Sequence, residues 1–347
     1  MRRPRRQRAS VMKSMPAPMR GMVQATSVVA PQTDSAEYME NFLPTQRGIK
    51  PRGGVLKAAL VGGPVTSMFA YDTPGGDKIF AATATDLYDV TSFDTVTTPT
   101  AVVSGQTSGY YSSQQIGTAG GEFVLIVNGT DAEQIYDGTT FAAASITGPT
   151  AGTLSHVWKY ANRLFFVERD TQTAWYLPVD SIAGTATSIS LAGTFQNGGS
   201  LLFGATWSSD SGDGLDDRCV FVSDKGEIAV YEGTDPSTAA DWQLVGRYDS
   251  SPPLGKLAVM RAGGDLLIAT KQGIVPLSQI VNKDPAALSF DAVSRDIQPT
   301  WETEAASAEN VQLVKWDDEG LALCYFPGSQ RTLAVGLERG AWSVVTG

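Results

Sequence analysis

The sequence predicts an all-β fold, a six-bladed β-propeller with an extended N-terminal arm, and three observations support this prediction. The chain of 347 residues contains many short runs of β-branched and aromatic residues, separated by polar or glycine-rich turns. These runs recur at a regular spacing. Helical periodicity is weak outside residues 34–42 and 301–309. We therefore divide the chain into an extended basic arm and docking segment, residues 1–54, and a propeller, residues 55–347.

The stretch from Leu154 to Pro178 shows the predicted repeating unit. The run LSHVWKY is followed by the turn Ala161-Asn162, a compact apolar run over residues 163–168, a second polar turn and a short aromatic run with Trp175. Runs this short suit the strands of an antiparallel meander rather than helices. Because such a small sheet is not stable alone in water, it must pack against other copies of itself.

Six copies of this unit can be recognised by an apolar pair in the middle of the second run. Successive pairs lie 41 to 55 residues apart, which is typical of propeller blades. A β-sandwich with evenly spaced hairpins remains the alternative. The pairs are Ile79-Phe80, Val124-Leu125, Phe165-Phe166, Val220-Phe221, Leu266-Leu267 and Leu321-Ala322.

Charge is distributed unevenly along the chain. The first 20 residues carry seven basic and no acidic residues, whereas the rest holds 19 basic against 36 acidic residues, a net charge of about −17. Such a body repels nucleic acid. The arm is predicted to be a solubilising tail, a contact to an acidic neighbouring subunit, or a phosphate contact. Its candidate partner-binding residues are Arg2, Arg3, Arg5, Arg6, Arg8, Lys13 and Arg20.

The two cysteines indicate the compartment in which the chain assembles. Cys219 and Cys324 fall in second-run strands of blades two apart, so we expect two buried free thiols, as in a reducing cytoplasm. No apolar stretch reaches the length of a membrane span, and the basic start lacks the apolar core of a signal peptide. We therefore expect no membrane insertion.

The docking segment carries a family resemblance in three short motifs. Asp34-Ser35-Ala36, Glu40–Pro44 and Lys50–Gly54 resemble the start of the β-propeller hub or nozzle subunits of short-tailed phages, also called packaged-DNA stabilisation proteins. Gln32-Thr33 replaces the second proline of that pattern, and Leu43 stands where Trp or Phe is usual. Independently of the resemblance, Asp34 is expected to cap a short helix that Pro44 ends.

The resemblance implies a structural protein of the virion tail, assembled in the cytoplasm of the bacterial host. Its implied partners are further copies in a homohexameric ring, the head-to-tail adaptor, other tail proteins, and the viral DNA that passes through the channel. The ring would help to retain the genome and then conduct it. The alternative is a lectin-like or glycan-active propeller.

The sequence contains only weak signals for a catalytic, cofactor or metal site. His156, the only histidine, lies in an alternating strand pattern without a following acid at useful spacing, so we interpret it as an ordinary half-buried residue rather than a general base. No phosphate-binding loop or Cys/His cluster occurs, so no cofactor and no enzymatic activity are predicted. A glycine-rich acidic loop is a weak calcium candidate, although a solvated hairpin tip explains it equally well. Its carboxylates are Asp210, Asp213, Asp216 and Asp217.

Two further expectations concern the surface of the disc. The tryptophans fall in or beside strands, except Trp301, and are expected to pack between blades; a sugar-binding ring would need one aromatic at the same place in every copy. The insertion from Pro276 to Asn310 is expected to project from one face and meet a partner.

Overall fold

The computed structural model describes residues 16–24, 33–45, 47–92, 96–208 and 217–347, apart from the side chain of Phe290. Within these ranges six small antiparallel sheets form a ring, so the predicted six-bladed β-propeller is confirmed. Each blade begins at the axis and proceeds outward. The six apolar pairs that define the repeat all lie in the second strand of a blade, as the spacing predicts.

The strands and helices follow in chain order. An N-terminal hairpin contains β1 (Phe42–Thr45) and β2 (Gly48–Pro51). Blade one contains β3 (Ser67–Tyr71), β4 (Lys78–Ala82), β5 (Leu87–Asp89) and β6 (Ala101–Val103). Blade two contains β7 (Ser112–Thr118), β8 (Gly121–Val127), β9 (Gln134–Tyr136) and β10 (Phe141–Ala143). After β11 (Ile146–Thr147), blade three contains β12 (Leu154–Tyr160), β13 (Arg163–Glu168), β14 (Thr173–Tyr176) and, beyond β15 (Gly184–Thr185), which pairs with β11, β16 (Thr187–Ser190).

The second half of the ring is less regular. Blade four contains β17 (Leu201–Trp207), β18 (Arg218–Ser223), β19 (Glu227–Glu232) and β20 (Gln243–Asp249). Blade five contains β21 (Val259–Ala262), β22 (Asp265–Thr270) and β23 (Gly273–Pro276), followed by helices α1 (Leu277–Asn282), α2 (Leu288–Asp291) and α3 (Gln298–Ala305). Blade six contains β24 (Gln312–Trp316), β25 (Leu321–Tyr325), β26 (Arg331–Gly336) and β27 (Trp342–Thr346). Short 3-10 turns span Pro285–Ala287, Val293–Ile297 and Asp317–Glu319.

The helical insertion after blade five packs onto the ring, so the expectation that it projects is wrong. Leu277 and Leu288 are buried in the apolar cluster of blades four and five. Ile297 and Trp301 are buried in the cluster of blades five and six. The apolar residues of the insertion take the place of a fourth strand because burial against these blades is more favourable than exposure. A helix near the predicted residues 301–309 does form, but it begins at Gln298.

Residues 33–45 form turns and a strand but no helix, so the capping prediction for Asp34 is wrong. Instead, Gly21 and Glu40 make parallel bridges to Trp342 and Val344 in β27, the outer strand of blade six. The positive φ of Gly21 and its close approach to Trp342 leave no room for a Cβ atom. Pairing with an open strand edge thus overrides the local helical pattern.

The apolar core is divided among the interfaces between neighbouring blades. Separate clusters join blades one and two, two and three, three and four, four and five, and five and six. Met22 and Met39 of the docking segment belong to the last of these. Cys219 and Cys324 are buried free thiols, as expected, and burial raises the pKa of both.

Candidate functional site

The first strands of all six blades start at the same end of the axis, where polar bonds join neighbouring blades. The Ser67 hydroxyl donates to the carbonyl of Gly109, 2.6 Å away, and links blade one to blade two. The Thr206 hydroxyl donates to the carbonyl of Lys159, 2.6 Å away, and links blade four to blade three. These bonds align the strands so that they run in one direction around a central space.

This central space is a cavity of about 910 Å³, which we call the axial well. Its volume lies within the range of small-molecule sites. Blades two to four contribute polar side chains such as Gln114, Lys159 and Thr206, whereas blades one and six add apolar surface from Met68 and Val314 beside the polar Gln312. The wells of propellers are formed by the edges of inner strands, so this division follows from the sequences of those strands.

Lys256 closes the end of the well at which the first strands begin. Its side chain leaves blade five and reaches the opposite side of the ring, where Nζ donates to the carbonyls of Tyr110 (2.8 Å), Ser155 (2.7 Å) and Asn128 (3.5 Å). Nζ also lies 4.7 Å from the ring centroid of Tyr110. Burial lowers the pKa of Lys256 to about 7, while the carbonyl oxygens and the aromatic face favour the ammonium form and oppose that shift.

His156 links three blades beside this lysine. Nε2 donates to the carbonyl of Gly204 (3.0 Å), so in the neutral ring Nδ1 accepts from the Ser112 hydroxyl (3.1 Å). Burial and the nearby charge of Lys256 lower the pKa of His156 to about 3. The side chain is therefore neutral at physiological pH and a weak base.

The end of the well that Lys256 closes, which we call its floor, has a structural role because its polar hydrogens already have hydrogen-bond acceptors. All three Nζ hydrogens of Lys256 have acceptors, and both ring nitrogens of His156 have partners. The Ser112 hydroxyl also accepts from the backbone N–H of Val157 at 3.2 Å. A Ser–His pair is thus present, but its atoms hold blades together. The prediction that His156 is half-buried is wrong: the side chain is buried, because it packs between blades two and four and bonds to both.

Two of the turns at the other end of the well are acidic. The β3–β4 turn contributes Asp72 and Asp77, the β24–β25 turn contributes Asp317, Asp318 and Glu319, and all five are exposed. Since first strands all run toward this end, the turns that follow them lie on the same face of the disc.

Blades six and one meet differently from the other neighbours. Within the described residues, no apolar cluster contains side chains of both blades. A hydrogen bond from Gln312 Nε2 to the carbonyl of Thr66, 3.0 Å long, joins them near the axis. We call the gap between the facing sides of these blades the seam, and Met68, Val314, Trp316 and Tyr325 border it.

The predicted site residues have different outcomes. Asp210, Asp213 and Asp216 lie outside the described residues, and Asp217 accepts a short hydrogen bond from the Ser208 hydroxyl. In the described ranges no group of three or more His, Cys, Asp or Glu side chains is arranged to hold a metal.

Of the predicted arm residues, Arg20 is described, and its backbone N–H donates to the carbonyl of Asp34. The others, Arg2, Arg3, Arg5, Arg6, Arg8 and Lys13, lie outside the described residues.

The tryptophans mostly pack between blades, as predicted. Trp158, Trp207, Trp301 and Trp342 are buried, whereas Trp316 is 41% exposed at the seam.

Sequence reasoning missed Lys256; the one available signal was a lysine that begins the otherwise apolar run KLAVM of blade five. No helix in the described part of the chain is long and apolar enough to cross a membrane.

Comparisons with known proteins reveal likeness in structure only. No protein-family model matches the sequence, and no curated protein matches it. The β-propeller domain of Cps50 (Swd1) from Myceliophteria thermophila is 9% identical, with 82% of this chain and 89% of that chain covered and a TM-score of 0.48. BBS1N in complex with ARL6DN is 10% identical over 86% and 79% of the two chains, with a TM-score of 0.41. YCF48 bound to D1 peptide is 11% identical over 77% of each chain, with a TM-score of 0.42.

Proposed function

We propose that the protein is a structural subunit of a short-tailed phage tail, a hub or nozzle subunit that forms a homohexameric ring around the DNA channel. The observation that carries this proposal is the place of the docking segment. Residues 16–24 and 33–45 lie along the outer edge of blade six, where Met22, Met39 and Leu43 are buried. The segment that bears the family resemblance is thus an integral part of the rim of the disc.

The charge of the body supports the same role. A conduit for DNA must not hold the passing duplex, because each phosphate contact would add affinity that has to be broken during ejection. The net charge of about −17 outside the first 20 residues meets this requirement. The saturated polar groups on the floor of the axial well also favour a structural role over catalysis.

Assembly of the purified full-length chain tests the proposal. We expect native mass spectrometry and cryo-EM to reveal a closed ring of fixed stoichiometry without added sugar. We also expect the assembled ring to show no tight binding to duplex DNA at physiological salt. A chain that stays monomeric at high concentration and binds a glycan array would contradict the proposal and favour the glycan-binding alternative.

A further inference from the structure

The seam exposes large apolar side chains of blades one and six to solvent. Val314 and Trp316 lie on the side of β24 opposite Leu313, which packs toward blade five. Across the seam, Met68 lies on the side of β3 opposite Phe69, which packs toward blade two. Met68 is 60%, Val314 49% and Trp316 41% exposed. The inner parts of the two facing sheets therefore expose apolar side chains, whereas residues 59 and 61 pack on the middle and outer strands of blade one and cover them.

The seam continues into the axial well and opens between two acidic turns. Met68 and Val314 line the well. The acidic turn of blade one lies on one side of the opening, and that of blade six lies on the other. Glu319 pairs with Lys50 and Asp317 with Lys315, whereas Asp72, Asp77 and Asp318 have no cationic partner in the part of the chain that is described.

We propose that the seam receives residues 1–15 of a neighbouring copy of this chain. This inference rests on the proposed ring only in that the ring brings copies together. Residues 1–15 have the composition that the seam requires: they contain six cations and no acid, with five arginines at the start and the apolar residues Val11, Met12 and Met15 on either side of Lys13. Arginine is suited to this place because its planar guanidinium stacks on an aromatic face while it bonds carboxylates.

A contact within the described chain shows that the acidic turn of blade six accepts cations. Lys50, which belongs to the docking segment, bonds Glu319 of that turn. The segment of residues 1–15 brings further cations, and Asp72, Asp77 and Asp318 are the carboxylates left for them. Such exposed pairs are individually weak and sensitive to salt, so the apolar contacts must add to the binding.

We assign the occupant to a neighbouring copy because the described arm is held at the outer rim of blade six, where an adjacent copy in a ring would lie. Gly21 forms a bridge to Trp342 in the outer strand β27, and Met22 belongs to the apolar cluster of blades five and six. The chain's own seam lies on the opposite side of blade six. Fifteen extended residues reach roughly 50 Å, which is enough to cross to an adjacent copy in a ring; the same length would also reach the chain's own seam, so the crosslinking test must separate the two.

Disulfide trapping in the full-length chain tests this placement. The variants Met12→Cys and Val314→Cys are mixed and mildly oxidised; Cys219 and Cys324 are buried and leave the background low. The matched control replaces Val314→Cys by Leu244→Cys, since Leu244 is also exposed, at 47%, but lies on blade four. We expect at least about fivefold more crosslinked dimer with the seam variant, and about 1 M salt should reduce this excess by screening.

Two outcomes of the trap would overturn the proposal. Equal yields from the seam variant and the control would show that the arm does not reach the seam. A crosslink formed only within one chain, in the diluted double variant Met12→Cys/Val314→Cys, would show that the occupant is the chain's own arm. A closed ring that gives no specific crosslink would refute this inference and leave the proposed function intact; a specific crosslink without a closed ring would do the reverse.

A labelled peptide of residues 1–20 separates apolar fit from charge alone. We expect Trp316→Ala in the full-length chain to weaken binding of this peptide about fivefold. The control variant Leu244→Ala should leave binding of the peptide unchanged. A peptide with Val11→Ser, Met12→Ser and Met15→Ser keeps every charge and should also bind more weakly. Equal binding of both peptides would show that charge alone is responsible and would overturn the seam as the site.

Discussion

The two interfaces of blade six differ in packing, although the same blade takes part in both. Toward blade five, Trp301 and Trp342 are fully buried, and the backbone N–H of Leu313 donates to the carbonyl of Leu257 at 3.0 Å. Toward blade one, Trp316 is exposed and Gln312 provides the described polar link. One interface resembles a protein core, and the other resembles an open docking surface.

The difference between the two interfaces reflects how the ring of blades in one propeller is closed. Blades five and six follow each other along the chain, and a helical insertion fills the space beside them. Blades six and one are the last and the first of the propeller, and the docking segment, whose Arg52 donates to the carbonyl of Thr346 in β27, is the stretch that joins them. The docking segment could have covered the seam, but it covers the outer strand of blade six instead. The propeller therefore keeps one interface between blades, the seam, that a partner can complete.

The largest effect is expected from removing tryptophan on the closed side. Trp342→Ala should lower the free energy of unfolding by about 3–5 kcal/mol because it leaves a cavity in the cluster of blades five and six. The matched variant Trp316→Ala, in the same blade, should change it by no more than about 0.5 kcal/mol. Urea unfolding monitored by circular dichroism measures both. Similar losses would mean that the seam is packed like the other interfaces.

The next effect concerns the link across the axis. Lys256→Met should cost about 1–3 kcal/mol because the carbonyls of Tyr110 and Ser155 lose their donor. The pKa of Lys256, about 7, lies below that of an unfolded lysine, so in the native chain the free energy of unfolding should rise with pH between about 7 and 10.

The slope of that pH dependence provides the control. One such group contributes at most about 1.4 kcal/mol per pH unit. The contribution should disappear in Lys256→Met and persist in Lys271→Met, a lysine in an exposed turn of the same blade. An unchanged slope in Lys256→Met would show that another group titrates.

A third prediction tests how tightly a closed interface is packed. A Cβ atom on Gly204 would lie 2.3 Å from the Trp158 ring, so Gly204→Ala should overpack the interface of blades three and four. We expect a loss of about 1–3 kcal/mol. Gly53→Ala, in open space before blade one, should stay within about 0.5 kcal/mol. Thermal unfolding of both variants distinguishes these cases.

The smallest effect is expected at the seam itself. Gln312→Ala removes the bond to Thr66 and should cost less than about 1 kcal/mol of global stability. It should, however, increase local opening, which native-state hydrogen exchange detects as faster exchange in β3 and β24 than in β12 and β17. Uniform exchange across these strands would mean that the seam is not a weak point.

The number and position of the blades were determined by the sequence itself. Phe80, Phe166 and Phe221 mark second strands because apolar runs between turn residues are local signals. The turn at Ala161-Asn162 is likewise local, and both residues adopt the positive φ values of a tight hairpin. Burial of Cys219 followed from its position in such a run.

The tertiary structure alone decided what happens between distant segments. The link from Lys256 to Ser155, the bond from His156 to Gly204 and the exposure of Trp316 depend on which blades face each other across the axis or the seam. The helical pattern near Asp34 lost to strand pairing with β27 for the same reason. Local patterns encode the length and the faces of a strand, but the partner of each face is chosen by the free energy of the whole ring.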